Sequence, residues 1–472
     1  MPKTPTYDVI VIGSGSAGFS AAEAARKTGA SVCIVEQERL GGDCPNYACV
    51  PSKALLKTAS VYRLVNRARE YGVSVGSVSY NYDLVMKYRE NVVQSITGGG
   101  AYGARYEKIF RSLGIVVKIG KAKFVDEHTI EVKGENLIGK TFVIATGSAE
   151  FVPQIPGIDT LKYLLWKDAL RLKRQPKSLG IFGGGPVGCE LATFFASFGT
   201  RVVLIQSASQ VLHREDAEIA GLARKVLEAL GVEVVTNANV VEVVNGGGGV
   251  YGVNVDVGGN RTMHAVEQVV LAAGNRANTD DLGLEKLEVK LGSRGSIITT
   301  NEQRTSVPYI FAAGDVCGGM QFTHTAHHEG FIAGHNAALM AKKKRALRMK
   351  INERVVPRVT FLSTEVASVG MTQKEAKEAF GKVLVGRYPF SALGRTATEH
   401  GSEGLIKIIA HPKTRKIIGG HIIGERAGEV VHEIALAIYL NATIDKLAGM
   451  IHAFPSYSES ITAAASSAKL EF

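Results

Sequence analysis

Two cysteines separated by four residues carry the most distinctive chemistry in the sequence. Cys44 and Cys49 lie in residues 41–53, which read Gly-Gly-Asp-Cys-Pro-Asn-Tyr-Ala-Cys-Val-Pro-Ser-Lys. Two thiols this close can form and break a disulfide, which is a two-electron reaction. Five residues of regular helix rise ~7.5 Å, beyond the roughly 7 Å between Cα atoms that a disulfide allows. The pair must therefore straddle an irregular turn, and Pro45 and Pro51 are predicted to break the helix.

The remaining cysteines favour no other redox centre. The chain has five cysteines in 472 residues, which is too few for a disulfide scaffold. Cys33 and Cys189 fall in apolar segments with strand and helix character, so packing is their predicted role. Cys44 and Cys49 are left as the predicted redox pair.

A glycine-rich turn precedes the cysteines. The apolar strand Val9–Ile12 runs into Gly13, Ser14, Gly15, Ser16, Ala17 and Gly18, and residues 19–28 have helical composition. Such a turn lets a helix amino terminus face a pyrophosphate. The next strand, residues 31–35, ends in Glu36, a predicted acceptor for ribose hydroxyls. Strand, turn, helix and acidic residue together predict a dinucleotide site.

A second glycine-rich turn indicates a second dinucleotide. The strand Ser178–Phe182 leads into Gly183, Gly184, Gly185, Pro186, Val187 and Gly188, and a helix follows through Phe198. The second strand of this unit, residues 201–205, ends at Gln206, where an NAD-specific site places an acidic residue. His213 and Arg214 follow as candidate cations. The missing acid favours NADPH over NADH.

These motifs resemble the class I pyridine nucleotide-disulfide oxidoreductases, the group of dihydrolipoamide dehydrogenase, glutathione reductase and mercuric reductase. The likeness spans nearly the whole chain. It implies FAD at the first turn and NAD(P) at the second. Further cofactor-binding positions that it implies are Gly42 and Lys53 near the cysteines, Thr146 and Gly147 at a crossing between domains, Gly274 at the return crossing, and Gly314 and Asp315 beside the ribityl chain.

The resemblance also implies roles for the reactive residues. Cys49 is expected next to the flavin and Cys44 to face the acceptor as the interchange thiol. Lys53 is expected to pair with Glu190, which would hold a cation near the reactive edge of the flavin. Lys53 and a helix amino terminus are expected to lower the thiol pKa values from ~8.5 towards 7 or below.

The expected fold is α/β, with two Rossmann-like dinucleotide-binding domains and an α+β carboxyl-terminal dimerisation domain. Residues 1–150 and 276–350 would form the FAD domain, 151–275 the NAD(P) domain and 351–472 the dimerisation domain. Strands are predicted in the last part at 356–361, 404–409 and 417–424, with helices at 428–440 and after Pro455. The resemblance implies a homodimer in which the tail of one subunit completes the disulfide site of the other.

The tail departs from the pattern of dihydrolipoamide dehydrogenase and glutathione reductase. There a His before the proline serves as acid and base, whereas here Phe454 precedes Pro455. A phenyl ring cannot accept a thiol proton, although the acidic partner remains as Glu459. His452 and Tyr457 are the candidate replacements as proton donors.

The predicted activity is transfer of electrons from NAD(P)H through FAD and the Cys44–Cys49 disulfide to a disulfide, thiol or metal-ion acceptor. The tail has no cysteine pair of the kind that relays metal in mercuric reductase. Neither a standard lipoamide dehydrogenase nor a typical mercuric reductase is therefore expected. Direct reduction of quinones, metal ions or oxygen by the flavin is the alternative, and a redox sensor that docks through residues 341–350 is a third.

Composition bounds the partners. The net charge is +11, and part of it lies in the basic run 342–350, which lacks interleaved aromatics, so a solvated surface is expected rather than nucleic-acid binding. No apolar run reaches the ~18 residues of a membrane span, and the strand at residues 7–12 leaves no room for a signal peptide, so a cytoplasmic protein is expected. The histidines at 324, 327 and 328 with Glu329 are not expected to bind metal.

Overall fold

The structure is a computed structural model that describes residues 4–401 and 404–472. The chain forms two compact units. The first contains the chain up to Ala54 with Lys87–Phe151 and Gly274–Glu353, and the second contains Leu55–Met86, Val152–Ala273 and Arg354–Phe472. The division into domains at residues 150, 275 and 350 stays a prediction.

The amino-terminal part alternates strands and helices. Its elements are β1 (Thr6–Ile12), α1 (Ser16–Lys27), β2 (Val32–Glu36), α2 (Asp43–Asn46), α3 (Cys49–Asn66), α4 (Tyr82–Thr97), α5 (Ala104–Ser112), β3 (Val116–Ile119), β4 (Ala122–Phe124), β5 (Thr129–Val132), β6 (Glu135–Ile144) and β7 (Ser148–Glu150).

The middle of the chain repeats this alternation and then returns. Its elements are β8 (Leu164–Leu165), α6 (Trp166–Ala169), β9 (Ser178–Phe182), α7 (Pro186–Ser197), β10 (Arg201–Ile205), α8 (Ala217–Ala229), β11 (Glu233–Val235), β12 (Ala238–Asn245), β13 (Tyr251–Val257), β14 (Asn260–Val266), β15 (Gln268–Leu271), β16 (Asn275–Ala277), β17 (Ile310–Ala312) and α9 (Thr323–Ala341).

The carboxyl-terminal part is richer in antiparallel strands. Its elements are β18 (Arg358–Thr360), β19 (Glu365–Gly370), α10 (Gln373–Phe380), β20 (Val383–Pro389), α11 (Gly394–Thr398), β21 (Leu405–Ala410), β22 (Ile417–Gly424), α12 (Ala427–Tyr439), α13 (Ile444–Ala448), α14 (Glu459–Ser466) and β23 (Lys469–Glu471).

A largely parallel sheet forms the centre of the first unit. Its order is β3-β2-β1-β6, with β17 also paired to β6, and β5 and β4 add an antiparallel extension. β1 lies between two strands, and Val9–Val11 are fully buried. A continuous apolar run is what a parallel strand covered on both faces requires. Helices α1 and α9 pack together, and β7 pairs with β16 beside the sheet.

The second unit contains a parallel sheet of its own and two antiparallel sheets. The parallel sheet has the order β11-β10-β9-β15-β8, and β12, β13 and β14 form an antiparallel ribbon. The carboxyl-terminal sheet has the order β18-β19-β22-β21-β20-β23. Its neighbouring strands are antiparallel, and α12 packs against β19 and β22. This mixed α/β architecture confirms the predicted fold class.

Several predicted boundaries shift for local reasons. The first helix begins at Ser16, inside the glycine turn, rather than at Phe19. The strand predicted at 356–361 pairs only over Arg358–Thr360, after a proline that has no N–H to donate. The helix expected after Pro455 begins at Glu459. In the described part of the chain, no helix is both long and apolar enough to cross a membrane.

Candidate functional site

The first glycine turn leaves a helix amino terminus open. Gly13 has φ +98°, and a Cβ there would lie 2.2 Å from the carbonyl oxygen of Ala145, so only glycine is accommodated. Gly15 caps α1 without any side-chain hydrogen bond to the helix. The first N–H groups of α1 are therefore free of a side-chain cap, as a pyrophosphate site requires.

Glu36 stabilises this turn directly. One carboxylate oxygen of the buried side chain accepts hydrogen bonds from the backbone N–H of Ser14 at 2.9 Å and its hydroxyl at 2.7 Å. The other oxygen accepts from the N–H of Glu38 at 2.9 Å. The carboxylate thus ties the end of β2 to the turn. Its contact with a ribose stays a prediction.

The other flavin-site positions cluster around the same sheet. Thr146 and Asn278 exchange hydrogen bonds, at 2.7 and 3.0 Å. A Cβ at Gly147 would meet no atom within 4 Å, which leaves space for a ligand there. The carboxylate of Asp315 accepts a hydrogen bond from the Ser148 hydroxyl at 3.0 Å. These features fit a bound FAD.

The two predicted redox cysteines lie at the starts of consecutive helices. Cys44 is in α2 and Cys49 begins α3. The break between them falls at Tyr47 (φ −133°, ψ −22°), whose N–H donates to the carbonyl of Asp43 at 2.7 Å. The irregular turn is confirmed, but its assignment to the prolines is wrong. Pro45 and Pro51 lie within the first three residues of α2 and α3, where a missing N–H costs nothing.

The thiols of both cysteines are half-buried and interact with each other. The hydrogen bond with Cys49, followed by burial and the negative charge of Cys49, raises the pKa of the Cys44 thiol above its ordinary value. Lys53 and Thr323 act in the opposite sense but more weakly. The net shift is upward, so the expectation that Lys53 and a helix amino terminus bring the thiol pKa towards 7 or below is wrong for Cys44.

Thr323 is a neighbour that sequence reasoning missed. Its hydroxyl lies 3.4 Å from the sulfur of Cys49, and its carbonyl accepts a hydrogen bond from the Ser16 hydroxyl at 2.8 Å. Thr323 opens α9, so one residue connects the dithiol to the first glycine turn. Its distance of 274 residues from Cys49 in the chain explains why spacing alone could not indicate it.

The second glycine turn repeats the first. Gly183 has φ +118°, and a Cβ there would lie 2.2 Å from the carbonyl oxygen of Ala272. Gly185 caps α7 without a side-chain hydrogen bond, with Pro186 as the first helical residue. A Cβ at Gly185 would meet no atom within 4 Å. The helix amino terminus therefore faces open space that fits a second dinucleotide, with Val187 and Gly188 in its first turn.

Gln206 takes the place that Glu36 has in the first turn. Its side-chain oxygen accepts a hydrogen bond from the N–H of Gly184 at 2.9 Å, and the residue is buried. The amide holds the turn without a negative charge. The N–H of Leu212 donates to the carbonyl of Gly184 at 2.7 Å. This bond brings the next two residues, His213 and Arg214, close to the glycine turn, and both are exposed. Burial and the charge of Arg214 lower the pKa of His213, so Arg214 is the permanent cation.

The remaining predicted cofactor positions lie at the expected elements. Gly274 (φ +99°) accepts a hydrogen bond from the N–H of Phe151 at 2.9 Å through its carbonyl, where the two crossings run side by side. The N–H of Gly314 donates to Glu329 at 2.5 Å. A Cβ at Gly42 would lie 2.6 Å from the Cα of Gly15, so the segment before Cys44 packs on the first turn.

Lys53 and Glu190 lie in different units. Lys53 is in the second turn of α3, and Glu190 is a buried residue of α7. A carboxylate oxygen of Glu190 accepts a hydrogen bond from the N–H of Phe361 at 3.1 Å. The predicted ion pair of Lys53 with Glu190 stays a prediction.

The candidate proton donors in the tail are already bonded to carboxylates. His452 lies 2.8 Å from Glu433 through Nε2 and 2.8 Å from the hydroxyl of Thr462 through Nδ1, and its side chain is 5% exposed. The hydroxyl of Tyr457 donates to Glu399 at 2.8 Å inside the core. Burial, and then this hydrogen bond, raise the pKa of Tyr457.

Phe454 and Glu459 complete the tail. Phe454 is 80% exposed. A carboxylate oxygen of Glu459 accepts a hydrogen bond from the N–H of Ser456 at 2.8 Å, at the start of α14. Among the described residues, no group of three or more His, Cys, Asp or Glu side chains could hold a metal ion.

Two dinucleotide turns on parallel sheets, a dithiol beside one of them and a separate antiparallel sheet define a dinucleotide-dependent thiol oxidoreductase. The chain belongs to the pyridine nucleotide-disulphide oxidoreductase family, whose model matches residues 7–330, and the family's dimerisation domain matches residues 356–465. It is therefore an FAD- and pyridine nucleotide-dependent oxidoreductase of the disulfide reductase group.

Known proteins of two activities resemble the chain. It is 33% identical to a mercuric reductase of Staphylococcus aureus, over 97% of this chain and 82% of that protein. It is 34% identical to a dihydrolipoyl dehydrogenase of Geobacillus stearothermophilus, over 96% of this chain and 94% of that protein. The structure of the HOCl-induced flavoprotein disulfide reductase RclA of Escherichia coli matches with a TM-score of 0.84 at 27% identity, over 98% of this chain and 99% of that one. RclA is also known as a Cu(II) complex.

Proposed function

We propose that the protein is an NADPH-dependent flavoprotein that passes electrons through the Cys44–Cys49 dithiol to a thiophilic metal ion such as Hg²⁺ or Cu²⁺. The observation that carries the proposal is the state of the tail. Phe454 cannot exchange a proton. The side chain of His452 is 5% exposed with both ring nitrogens hydrogen-bonded, and Tyr457 is buried with its hydroxyl bonded to Glu399. None of these three side chains is thus arranged as a free acid or base.

The choice of a metal ion as acceptor follows from the protons that each reaction requires. Reduction of a disulfide expels a thiolate that must take up a proton, a step that general acid catalysis accelerates by roughly 10²- to 10⁴-fold. Reduction of a metal ion needs no such proton. When Cys44 and Cys49 close to a disulfide, the two electrons reduce one Hg²⁺ to Hg⁰ or two Cu²⁺ to two Cu⁺, and the two thiol protons pass to the solvent.

The cofactors supply the electrons. Bound FAD would supply hydride acceptance from NADPH and two-electron reduction of the disulfide, and the overall reaction would convert NADPH and Hg²⁺ to NADP⁺, Hg⁰ and H⁺. The chain's own groups hold and orient the two cofactors. The amino termini of α1 and α7 bind the pyrophosphates, Glu36 and Gln206 hold the two turns, and Arg214 binds the 2′-phosphate.

Three observations support this proposal. The uncharged Gln206 leaves room for a 2′-phosphate that a carboxylate would repel. The pKa of Cys44 is raised, so the reduced pair keeps a proton on this thiol until a metal ion displaces it. Among the relatives, mercuric reductases and a copper(II) complex of RclA have thiophilic metals in their names.

Substitution of the cysteines tests the proposal. Under anaerobic conditions, Cys44→Ser and Cys49→Ser should each abolish NADPH oxidation driven by Hg²⁺ or Cu²⁺, because a single thiol cannot deliver both electrons as a disulfide. Cys317→Ala is the matched control, since this thiol lies in the same unit, and it should keep full turnover. NADPH consumption and Cu⁺ formation would be followed together.

Two outcomes contradict the proposal. Turnover of a quinone at an undiminished rate in both cysteine variants, with metal ions inert, would make the flavin itself the donor. Efficient turnover of lipoamide by the unmodified protein would show that the tail supplies protons after all.

A further inference from the structure

A tight turn at residues 212–215 places the two exposed cations beside the second nucleotide site. Leu212 adopts a left-handed conformation with φ +47°. Its N–H donates to the carbonyl of Gly184 at 2.7 Å, and its carbonyl accepts from the N–H of Glu215 at 2.7 Å. The N–H of Gly184 donates to Gln206, the residue that follows β10, so the shared partner Gly184 brings the turn to the carboxyl end of β10. That is the position from which this fold recognises the ribose 2′-group.

Arg358 of the carboxyl-terminal sheet holds this turn from outside the nucleotide-binding segment. Its Nε donates to Glu215 at 2.7 Å, and its Nη2 donates to the carbonyl of Arg214 at 3.2 Å. The side chains of Arg358 and Glu215 are 16% and 7% exposed. The hydroxyl of Ser368 donates to the same carboxylate. One guanidinium group therefore fixes both the backbone of Arg214 and the residue after it.

A buried ion pair secures the far side of the turn. Lys407 donates to Asp216 at 2.7 Å, and their side chains are 3% and 2% exposed. The N–H of Gln373 donates to the other oxygen of Asp216 at 3.1 Å, and Asp216 also caps α8. Burial raises the pKa of Asp216, but the hydrogen bond and charge of Lys407 outweigh it and leave the pKa lowered. The Asp216 carboxylate therefore stays ionised at neutral pH.

We propose that Arg358 is a positioning residue for nucleotide specificity: by fixing the backbone of Arg214, it aims that cation at the 2′-phosphate of NADPH. This inference rests on the NADPH preference in the proposed function. Buried charge pairs are poor sources of net stability, whereas a rigid turn loses less entropy when its side chains bind a phosphate. The bond from Arg358 to the carbonyl of Arg214, the candidate phosphate ligand itself, fits a role in making the turn rigid.

Binding of two small nucleotides isolates the contribution of the 2′-phosphate to affinity. The probes are 2′,5′-ADP and 5′-AMP, which differ only by the 2′-phosphate, titrated into the FAD-loaded protein by calorimetry. Arg358→Met should weaken binding of 2′,5′-ADP about tenfold, through loss of the charged hydrogen bonds that fix the turn, and change binding of 5′-AMP less than about twofold. The double variant Arg358→Met/Arg214→Ala should lose no more than Arg214→Ala alone, because Arg358 acts through Arg214.

Matched variants separate positioning from other roles. Arg387→Met removes another guanidinium of the same sheet, which pairs with Glu218 and Glu471, and should leave both affinities unchanged. Arg358→Lys keeps the charge but not the set of bonds, so only partial recovery is expected. If Arg358→Met does not fold because Glu215 is left buried and unpaired, Arg358→Met/Glu215→Gln removes that charge.

The outcomes distinguish a failure of the positioning role of Arg358 from a failure of the NADPH preference. Equal weakening of both probes by Arg358→Met, or full recovery in Arg358→Lys, would overturn the positioning role. Retained discrimination in Arg358→Met, with discrimination lost in Arg214→Ala, would overturn it as well and leave the NADPH preference intact. If the unmodified protein binds both probes equally, the NADPH preference itself fails, and the positioning role fails with it.

Discussion

At the scale of single residues, partners decide which groups can do chemistry. The sequence offers His452 and Tyr457 as replacements for a missing base, but each is buried against a carboxylate that holds it in place. Phe454, which cannot carry a proton, is the residue that is exposed. The tail therefore presents an apolar side chain at the position where the family resemblance implies a base.

Restoring the base is the direct test of this reading. Phe454→His should confer lipoamide turnover, with a gain of about 10²-fold over the unmodified protein, the lower end of what general acid-base catalysis supplies. Metal-ion turnover should change little, because it needs no proton from the tail. Steady-state NADH or NADPH oxidation with lipoamide and with Cu²⁺ measures both.

Ile451→His provides the comparison for that variant. Ile451 is 94% exposed and lies three residues from Phe454, so it adds a similar histidine at a position that the resemblance does not implicate. An equal gain in both variants, or none in Phe454→His, would mean that the loss of the base does not limit the use of disulfides.

At the scale of elements, the carboxylates around the flavin motif predict a pH dependence. Glu329 in α9 accepts a hydrogen bond from the N–H of Gly314, and burial, with Glu353 and Asp315 nearby, raises its pKa to about 7. A carboxyl group whose pKa is raised on folding stabilises the fold fully below its unfolded value, near 4.3. That stability is lost as the pH rises through about 7.

Glu329→Gln should therefore change the pH dependence of stability. The variant cannot ionise, and its side-chain oxygen can still accept from Gly314. Relative to the unmodified protein, its free energy of unfolding should be higher at pH 8 than at pH 5 by about 1–3 kcal/mol. Thermal unfolding at the two pH values measures the difference. Glu285→Gln, at an exposed carboxylate of the same unit, should show no such change, and an equal effect of Glu329→Gln at both pH values would refute the assignment.

The bounds of the strands and helices show which structural features the sequence alone could predict. Strands Ser178–Phe182, Arg201–Ile205 and Ile417–Gly424 were predictable to the residue, because each is an apolar run between residues that break or solvate a strand. The break at Tyr47 was misassigned to the neighbouring prolines, since proline breaks helices only beyond their first turn. The local sequence fixes what each segment prefers, whereas the capping geometry that sets a boundary is tertiary.

Some parts of the candidate site could likewise be predicted from the sequence, and others could not. Both glycine turns and the cysteine pair could be predicted, because their residue types follow from local conformation. The partners of His452 and Arg358 could not, because Glu433 and Glu215 lie 19 and 143 residues away in the chain. Only the registers of β18, β19 and β21 bring the carboxyl-terminal sheet against the turn at 212–215.

At the scale of the whole molecule, the chain contains the same glycine-turn arrangement twice. Gly13 and Gly183 adopt the same conformation, and Glu36 and Gln206 hold the two turns by the same hydrogen bond. One carboxylate is exchanged for an amide, and this difference separates the two nucleotide sites chemically. The carboxyl-terminal sheet then adds the residues that hold the second site and the surface expected to pair two subunits.

The exposed apolar side of α12 is the predicted centre of that pairing surface. Leu436 and Tyr439 are 57% and 62% exposed, and Leu440, one residue past the helix, is 65% exposed. Their spacing of three and four residues places them on one side of the helix. A contiguous apolar surface of this kind on a dimerisation domain indicates contact with a second copy.

Charges at this surface should dissociate the dimer. Leu436→Arg/Leu440→Arg removes two apolar contacts of about 1.5 kcal/mol or more each and sets like charges against each other, so the dissociation constant should rise at least about 10²-fold. Sedimentation velocity across micromolar concentrations measures it. Leu347→Arg, at a leucine 95% exposed in the other unit, should leave the dimer intact. Metal-ion turnover should fall together with the dimer fraction if the tail of one subunit completes the dithiol site of the other, and a fully active monomer would show that each subunit holds a complete site.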